Sequence, residues 1–292
     1  MAKFSHKIEY AGLKLAQAIF AVTGIKAARK MGAMLGGFVY RYIPIRKEVV
    51  LKNLKIAFPE LSSNELERLG RKCYISAAVI FSEILSIPSL KQDQLIDLVK
   101  LPNLETIKKL HAGKKGLILL TGHFGNWEAA FVSVGLQVGF PIVGVTKNQS
   151  NDYVTRDLDR MRTKYGNKVV TLGVSIREVY KALREGKIVS MVGDQRGPSD
   201  GPRVLLFNRP SAVYTGPAAL SLKSGAPLMF GTMMRTQDNR YEFRLEEVSK
   251  EGLPEDEQAA IIEFTQRHTT LLEEAIKIQP ESWFWMHNRW KY

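Results

Sequence analysis

A chain of 292 residues, 45% of them apolar, can bury a full core as one large domain or two small ones. Its single cysteine, Cys73, excludes a disulfide framework and fits a reducing compartment. The formal charge of +13, from 42 basic and 29 acidic residues, calls for a polyanionic partner: nucleic acid, an anionic membrane surface or an acidic protein.

Most of that charge sits at the N-terminus, where residues 1–55 carry 11 Lys/Arg against Glu9 and Glu48 alone. Ile8, Ala11, Leu15, Ile19 and Val22 fall on one helical stripe, and Lys7, Lys14, Lys26, Arg29 and Lys30 interrupt the apolar sequence. Within 1–55 the longest uncharged run, 15–25, has 11 residues, short of the roughly 20 that span a bilayer. No small-residue cleavage site follows it, so it does not read as a secretory signal. Two readings stay open: a basic amphipathic helix lying in the membrane interface, or a core-packing helix with a solvated basic face.

Ser62 and Glu65 form a capping box that opens a helix running to about residue 87, where Pro88 stops it. From Gly116 onward strands and helices alternate. Strand 117–120, helix 127–138, strand 142–145, helix 151–165 and strand 168–171 come first. A helix capped by Ser175 and Glu178 and closed by Gly186 follows, then strand 188–192. This alternation predicts an α/β fold with a mostly parallel central sheet flanked by helices, whose ligand sites lie beyond the carboxyl ends of the strands. Segments 228–236 and 241–248 flank Asp238-Asn239 as an antiparallel hairpin, and a long helix covers about 254–278. With no linker, repeat or low-complexity stretch, the expected organisation is a basic, membrane-associating helical extension, 1–60, and one globular domain, 61–292.

The chemistry is narrowed by what is missing. There is no Gly-x-Ser-x-Gly elbow, Gly-x-Gly-x-x-Gly turn, Walker A loop or His-Glu-x-x-His, and the five histidines show no metal-ligand spacing, so no metal or cofactor is expected. What remains is Thr-Gly-His-Phe-Gly-Asn-Trp-Glu at 121–128, directly after an apolar strand. His123 can accept a hydroxyl proton near neutral pH, and Glu128 is the carboxylate expected to fix its tautomer. Backbone N–H groups around Gly125, Asn126 and Trp127, at a helix start, are candidate donors to an oxyanion. A base with a carboxylate and no protein nucleophile suits direct attack by a substrate hydroxyl on an activated acyl carbon. The turn Asp194-Gln-Arg196-Gly-Pro198, with Arg203 and Arg209 beyond it, offers forks for a phosphate or carboxylate, or is a plain surface turn. In the tail, Trp283, Trp285 and Trp290 accompany His287 and Arg289. Core packing, a membrane-interface belt and a base-stacking surface all fit such a cluster.

Four blocks together resemble a known family. Asn53-Leu-Lys-Ile-Ala-Phe-Pro59, His123-Phe-Gly-Asn-Trp-Glu128, Lys181–Val189 leading into Asp194-Gln195, and Pro280-Glu-Ser-Trp-Phe-Trp-Met-His-Asn-Arg-Trp-Lys291 are similar, in this order, to the late lauroyl/myristoyl acyltransferases of lipid A biosynthesis, within the lysophospholipid acyltransferase superfamily. The resemblance implies a glycerol-3-phosphate acyltransferase-like fold. It implies an O-acyltransferase with His123 and Glu128 as its catalytic pair; the residues read here as facing the substrate are Gly125, Asn126, Asp194, Arg196, Arg203, Arg209 and Arg289. It further implies acyl carrier protein or acyl-CoA as donor, a glycolipid acceptor, and peripheral or monotopic attachment to the cytoplasmic face of the inner membrane. Phospholipid-type or mannosylated acceptors are the alternative within this class. A nucleic-acid-binding module is the alternative outside it, disfavoured because it leaves His123 and Glu128 idle.

Overall fold

A computed structural model describes residues 4–43, 45–171 and 176–291. Helices α1 (Phe4–Tyr42), α2 (Lys47–Ala57), α3 (Ser63–Ser86) and α4 (Gln92–Leu98) come first. Strand β1 (Val99–Lys100) and helix α5 (Leu104–Ala112) lead into β2 (Leu117–Thr121), α6 (Trp127–Val138), β3 (Val143–Thr146), α7 (Asp152–Thr163), β4 (Lys168–Thr171), α8 (Ile176–Arg184) and β5 (Ile188–Val192). After them come β6 (Arg203–Leu206), β7 (Arg209–Ala212), α9 (Gly216–Ser224), β8 (Leu228–Arg235), β9 (Tyr241–Glu247) and α10 (Glu257–Ile278). Ser175, the expected cap of α8, lies outside the described residues.

Seven strands form the central sheet in the order β1-β9-β8-β2-β5-β3-β4. β8, β2, β5, β3 and β4 run parallel, whereas β9 returns antiparallel to β8. β2 lies at the middle with all five residues buried, which is why it reads as an unbroken apolar run. β6 and β7 make a separate antiparallel pair. The capping box predicted at Ser62 and Glu65 is present at the start of α3. Val50, Leu54 and Ala57 of α2 belong to the same core as the sheet.

α1 is partly packed and partly exposed. It is one helix of 39 residues, kinked at Gly24 (φ 78°, ψ 166°). After the kink Ala28, Gly32, Gly36 and Tyr40 form a buried stripe against α3. The two backbones approach so closely that a Cβ at Gly36 would lie 2.6 Å from Tyr74 O, so only glycine fits there. Before the kink Phe4, Ile8, Leu15 and Val22 are exposed, and after it Met34, Leu35 and Phe38 are too. The first half is nonetheless tied down. Lys14 and Gln17 bind Asp157 of α7, and Asn151 donates to His6 O and Glu9. By length and composition α1 could cross a bilayer; its lateral fastening to α7 holds it along the body of the protein.

Candidate active site

β2 and β5 are neighbours in parallel register, Thr121 opposite Val192, so the residues that follow them leave the sheet side by side. One of these is His123 and the other Asp194. Asp194 Oδ1 lies 2.7 Å from His123 Nδ1, and its Oδ2 accepts from the His123 backbone N–H at 2.7 Å and from the Trp283 indole at 2.8 Å. A carboxylate can only accept, so Nδ1 carries the proton and Nε2 of the neutral ring is a lone pair. Burial opposes charge on His123, but the charge and hydrogen bond of Asp194, with Glu128 further off, outweigh it and raise its pKa above the ordinary value. Burial likewise opposes the Asp194 carboxylate, yet His123 and the Trp283 indole hold it down at about 2.

The carboxylate expected to orient His123 does something else. Glu128, 7% exposed on the first turn of α6, is gripped on both oxygens by Arg162 of α7, Nη2–Oε1 2.6 Å and Nε–Oε2 2.9 Å. Arg162 also reaches Asp159. Glu128 therefore joins α7 to the start of α6, and its influence on the imidazole is through space. The reason is geometric: Nδ1 is already filled from the neighbouring strand, and α6 turns Glu128 towards α7.

Other expected residues are also reassigned. Gly125 takes the left-handed conformation (φ 57°), where a Cβ would meet Met233 O at 2.4 Å, and its N–H is spent on Ser282 O. Asn126 is fully buried; its Oδ1 caps α6 at the Ala129 N–H and its Nδ2 donates to Glu83. Both are thus committed to bonds within the protein, and the first-turn N–H groups of α6 at Trp127 and Glu128 lack an intrahelical acceptor. Asp194 faces His123. Arg196 gives its N–H to His287 Nε2 and its guanidinium to Asn288 O. Arg289, 2% exposed, donates to Ala212 O, and burial with the nearby Arg196 lowers its pKa to about 10. Both hold the tail in place. Arg203 and Arg209 are exposed on the β6–β7 pair, and neither lines the cleft around His123.

The three tail tryptophans are core residues, 1–4% exposed, which removes the belt and base-stacking readings. The segment pairs with the turn that carries His123: Phe124 bridges Trp283, and Phe284 N–H donates to His123 O. Asn53 donates to Trp285 O and His287 O, so the first sequence block anchors the last. Around the imidazole, Ala77, Ile80 and Phe81 of α3, Trp127 and Phe284 form an apolar cleft with a cavity of about 10 Å³. His123 sits edge-on to Trp127, centroids 4.9 Å apart, and Phe81 is perpendicular to Trp127 and Phe284. Among the described residues no group of His, Cys, Asp and Glu side chains is placed to hold a metal ion.

Sequence reasoning missed Arg162 and Glu83. Glu83, with no exposure in the last turn of α3, accepts from Arg29, Arg235, Tyr241 and Asn126. It ties α1, the β8–β9 hairpin and the turn that carries His123 together. A charged residue on the apolar face of α3 was the only available signal.

His123 and Asp194 thus meet at the carboxyl edge of the parallel sheet of an α/β fold, beside an apolar cleft. The model of the bacterial lipid A biosynthesis acyltransferases matches residues 2–292, and the chain belongs to that family. It is 26% identical to a lipid A biosynthesis lauroyltransferase of Escherichia coli (strain K12), over 90% of this chain and 84% of that protein. It is 24% identical to the lipid A biosynthesis palmitoleoyltransferase of the same strain and to a lipid A biosynthesis acyltransferase of Shigella flexneri, each over 89% of this chain and 84% of the relative.

Proposed function

We propose that the protein moves a fatty acyl chain from a thioester donor, acyl carrier protein or acyl-CoA, to a hydroxyl of a lipid A precursor or related glycolipid, with His123 as general base and Asp194 as its carboxylate. Nε2 takes the hydroxyl proton as the oxygen attacks the thioester carbonyl, and Asp194 offsets the charge that develops on the ring. The first-turn N–H groups of α6 receive the oxyanion. When the tetrahedral intermediate collapses, the imidazolium returns the proton to the departing thiolate, and ester and thiol result. The observation that carries this reading is the His123–Asp194 pair at the floor of an apolar cleft.

The exposed apolar face of α1, beside Lys26, Lys30 and Arg41, suits an anionic interface, and its fastening to α7 supports monotopic attachment at the cytoplasmic face of the inner membrane. The test is incubation with labelled acyl-carrier-protein and acyl-CoA donors and with glycolipid, phospholipid and mannosylated acceptors, comparing wild type with His123→Ala. Product from wild type on the glycolipid and none from the variant is expected. Equal product from both proteins contradicts the assignment.

A further inference from the structure

Asp194 makes three hydrogen bonds, two to His123 and one to the indole N–H of Trp283. Trp283 is 3% exposed and lies between Trp285 and Trp290, at centroid separations of 4.7 and 6.5 Å and steep angles to both. Its own backbone bridges Phe124, and the residues on either side of it bond to Gly125 and His123. The indole is thus fixed relative to the catalytic turn through the main chain, independently of the carboxylate it touches. A buried tryptophan needs an acceptor for its N–H, and a carbonyl serves, as Pro280 O does for Trp285. At Trp283 the acceptor is instead the one carboxylate that binds the base.

We infer that Trp283 is a positioning residue for acyl transfer: its N–H pins Oδ2 of Asp194, keeps Oδ1 aimed at His123 Nδ1, and limits how strongly the carboxylate holds the imidazolium. This rests on the roles proposed above for His123 and Asp194. The physical argument concerns where the carboxylate's charge is spent. A donor on Oδ2 draws negative charge away from Oδ1; without it, Asp194 becomes the stronger partner for a charged ring. The imidazolium is then favoured, and the acid limb of the rate profile moves to higher pH. Looser aim of the carboxylate lowers kcat. Trp283 also lines the cleft beside His123, so the loss of the N–H is read in kcat and in the acid limb.

Trp290 provides the internal control. It is 4% exposed in the same aromatic cluster, and its Nε1 has no hydrogen-bond partner among the described residues. Trp283→Phe, Trp290→Phe and Asp194→Asn are compared in the full chain by pH dependence of kcat and KM. For Trp283→Phe, kcat is expected to fall about tenfold and the acid limb to rise by about half a pH unit; Trp290→Phe leaves both where they are. Should Trp283→Phe fail to fold, 3-benzothienylalanine at this position keeps the shape, replaces the N–H by sulfur, and carries the same expectation. A wild-type kcat and acid limb without the indole N–H, an equal shift in Trp290→Phe, or a change confined to KM overturns the inference. Full activity of Asp194→Asn would remove the base pairing itself, a failure separable from that of Trp283.

Discussion

Two buried carboxylates, each with a hydrogen-bonded partner, lie near the carboxyl edge of the sheet. In one pair, Asp194 arrives from β5 and holds His123 Nδ1 while the opposite ring nitrogen faces an apolar cleft. In the other, Glu128 on α6 is clasped by both arms of Arg162. The first pair leaves a titratable atom available for chemistry; the second satisfies its charges completely and fastens one helix to another. Proximity in sequence chose Glu128 as the partner of the base, and sheet topology chose Asp194, 71 residues away. Parallel strands deliver the residues after each strand to one edge, so partners in such a site are found by strand order before they are found by spacing.

The comparison can be broken most forcefully at the bases themselves. His123→Ala and Asp194→Asn are each expected to lower kcat/KM by about 10²- to 10⁴-fold, the range for a positioned base, with the folded protein retained by circular dichroism. Glu128→Ala should act on stability: an uncompensated buried Arg162 costs about 3–5 kcal/mol in denaturant titrations, and the double change with Arg162→Met should recover most of it. A third contrast sets His123 against His268, which is buried against Phe230 with no hydrogen-bonded carboxylate and a pKa pushed down to about 4 by burial. Its folded value lies below the unfolded one, so its contribution is present above the unfolded pKa of about 6.5 and is lost as pH falls towards 4. Unfolding titrations between pH 7 and 4 should show a loss of about 3 kcal/mol in wild type that His268→Leu removes. The smallest effect sharpens the first pair: with its pKa raised, His123 becomes neutral only above the ordinary value of about 6.5, so the acid limb of kcat/KM should lie above that pH and move below it in Asp194→Asn.

Much of this was legible in the chain, for identifiable reasons. The strand–helix alternation from Gly116, the capping box at Ser62 and the hairpin after β8 rest on local periodicity and caps, which neighbours in sequence decide. His123 stood out in the sequence because a strand end, a Gly-flanked turn and a helix onset coincide there, and the structure has all three. The β6–β7 pair and α9 were not legible, because short elements carry too little pattern. Asp194 was marked as a turn residue, but its partner depends on β2 and β5 being adjacent, which no window of sequence contains. Asn126 and Arg289 read as polar groups for a substrate; in the structure each bonds to the protein interior, because a buried donor must find an acceptor wherever the fold offers one. In α1 the stripe 28, 32, 36 and 40 packs on α3 while Phe4, Ile8, Leu15 and Val22 stay exposed, a division that the charge pattern alone did not show.

The most direct test is a side-by-side measurement of kcat for Asp194→Asn and Glu128→Gln on one acyl donor and glycolipid, normalised to folded protein. If Asp194 is the partner of the base and Glu128 a fastening between helices, Asp194→Asn loses at least about a hundredfold and Glu128→Gln changes only a few-fold. An inactive Glu128→Gln beside a near-normal Asp194→Asn would contradict that division of roles.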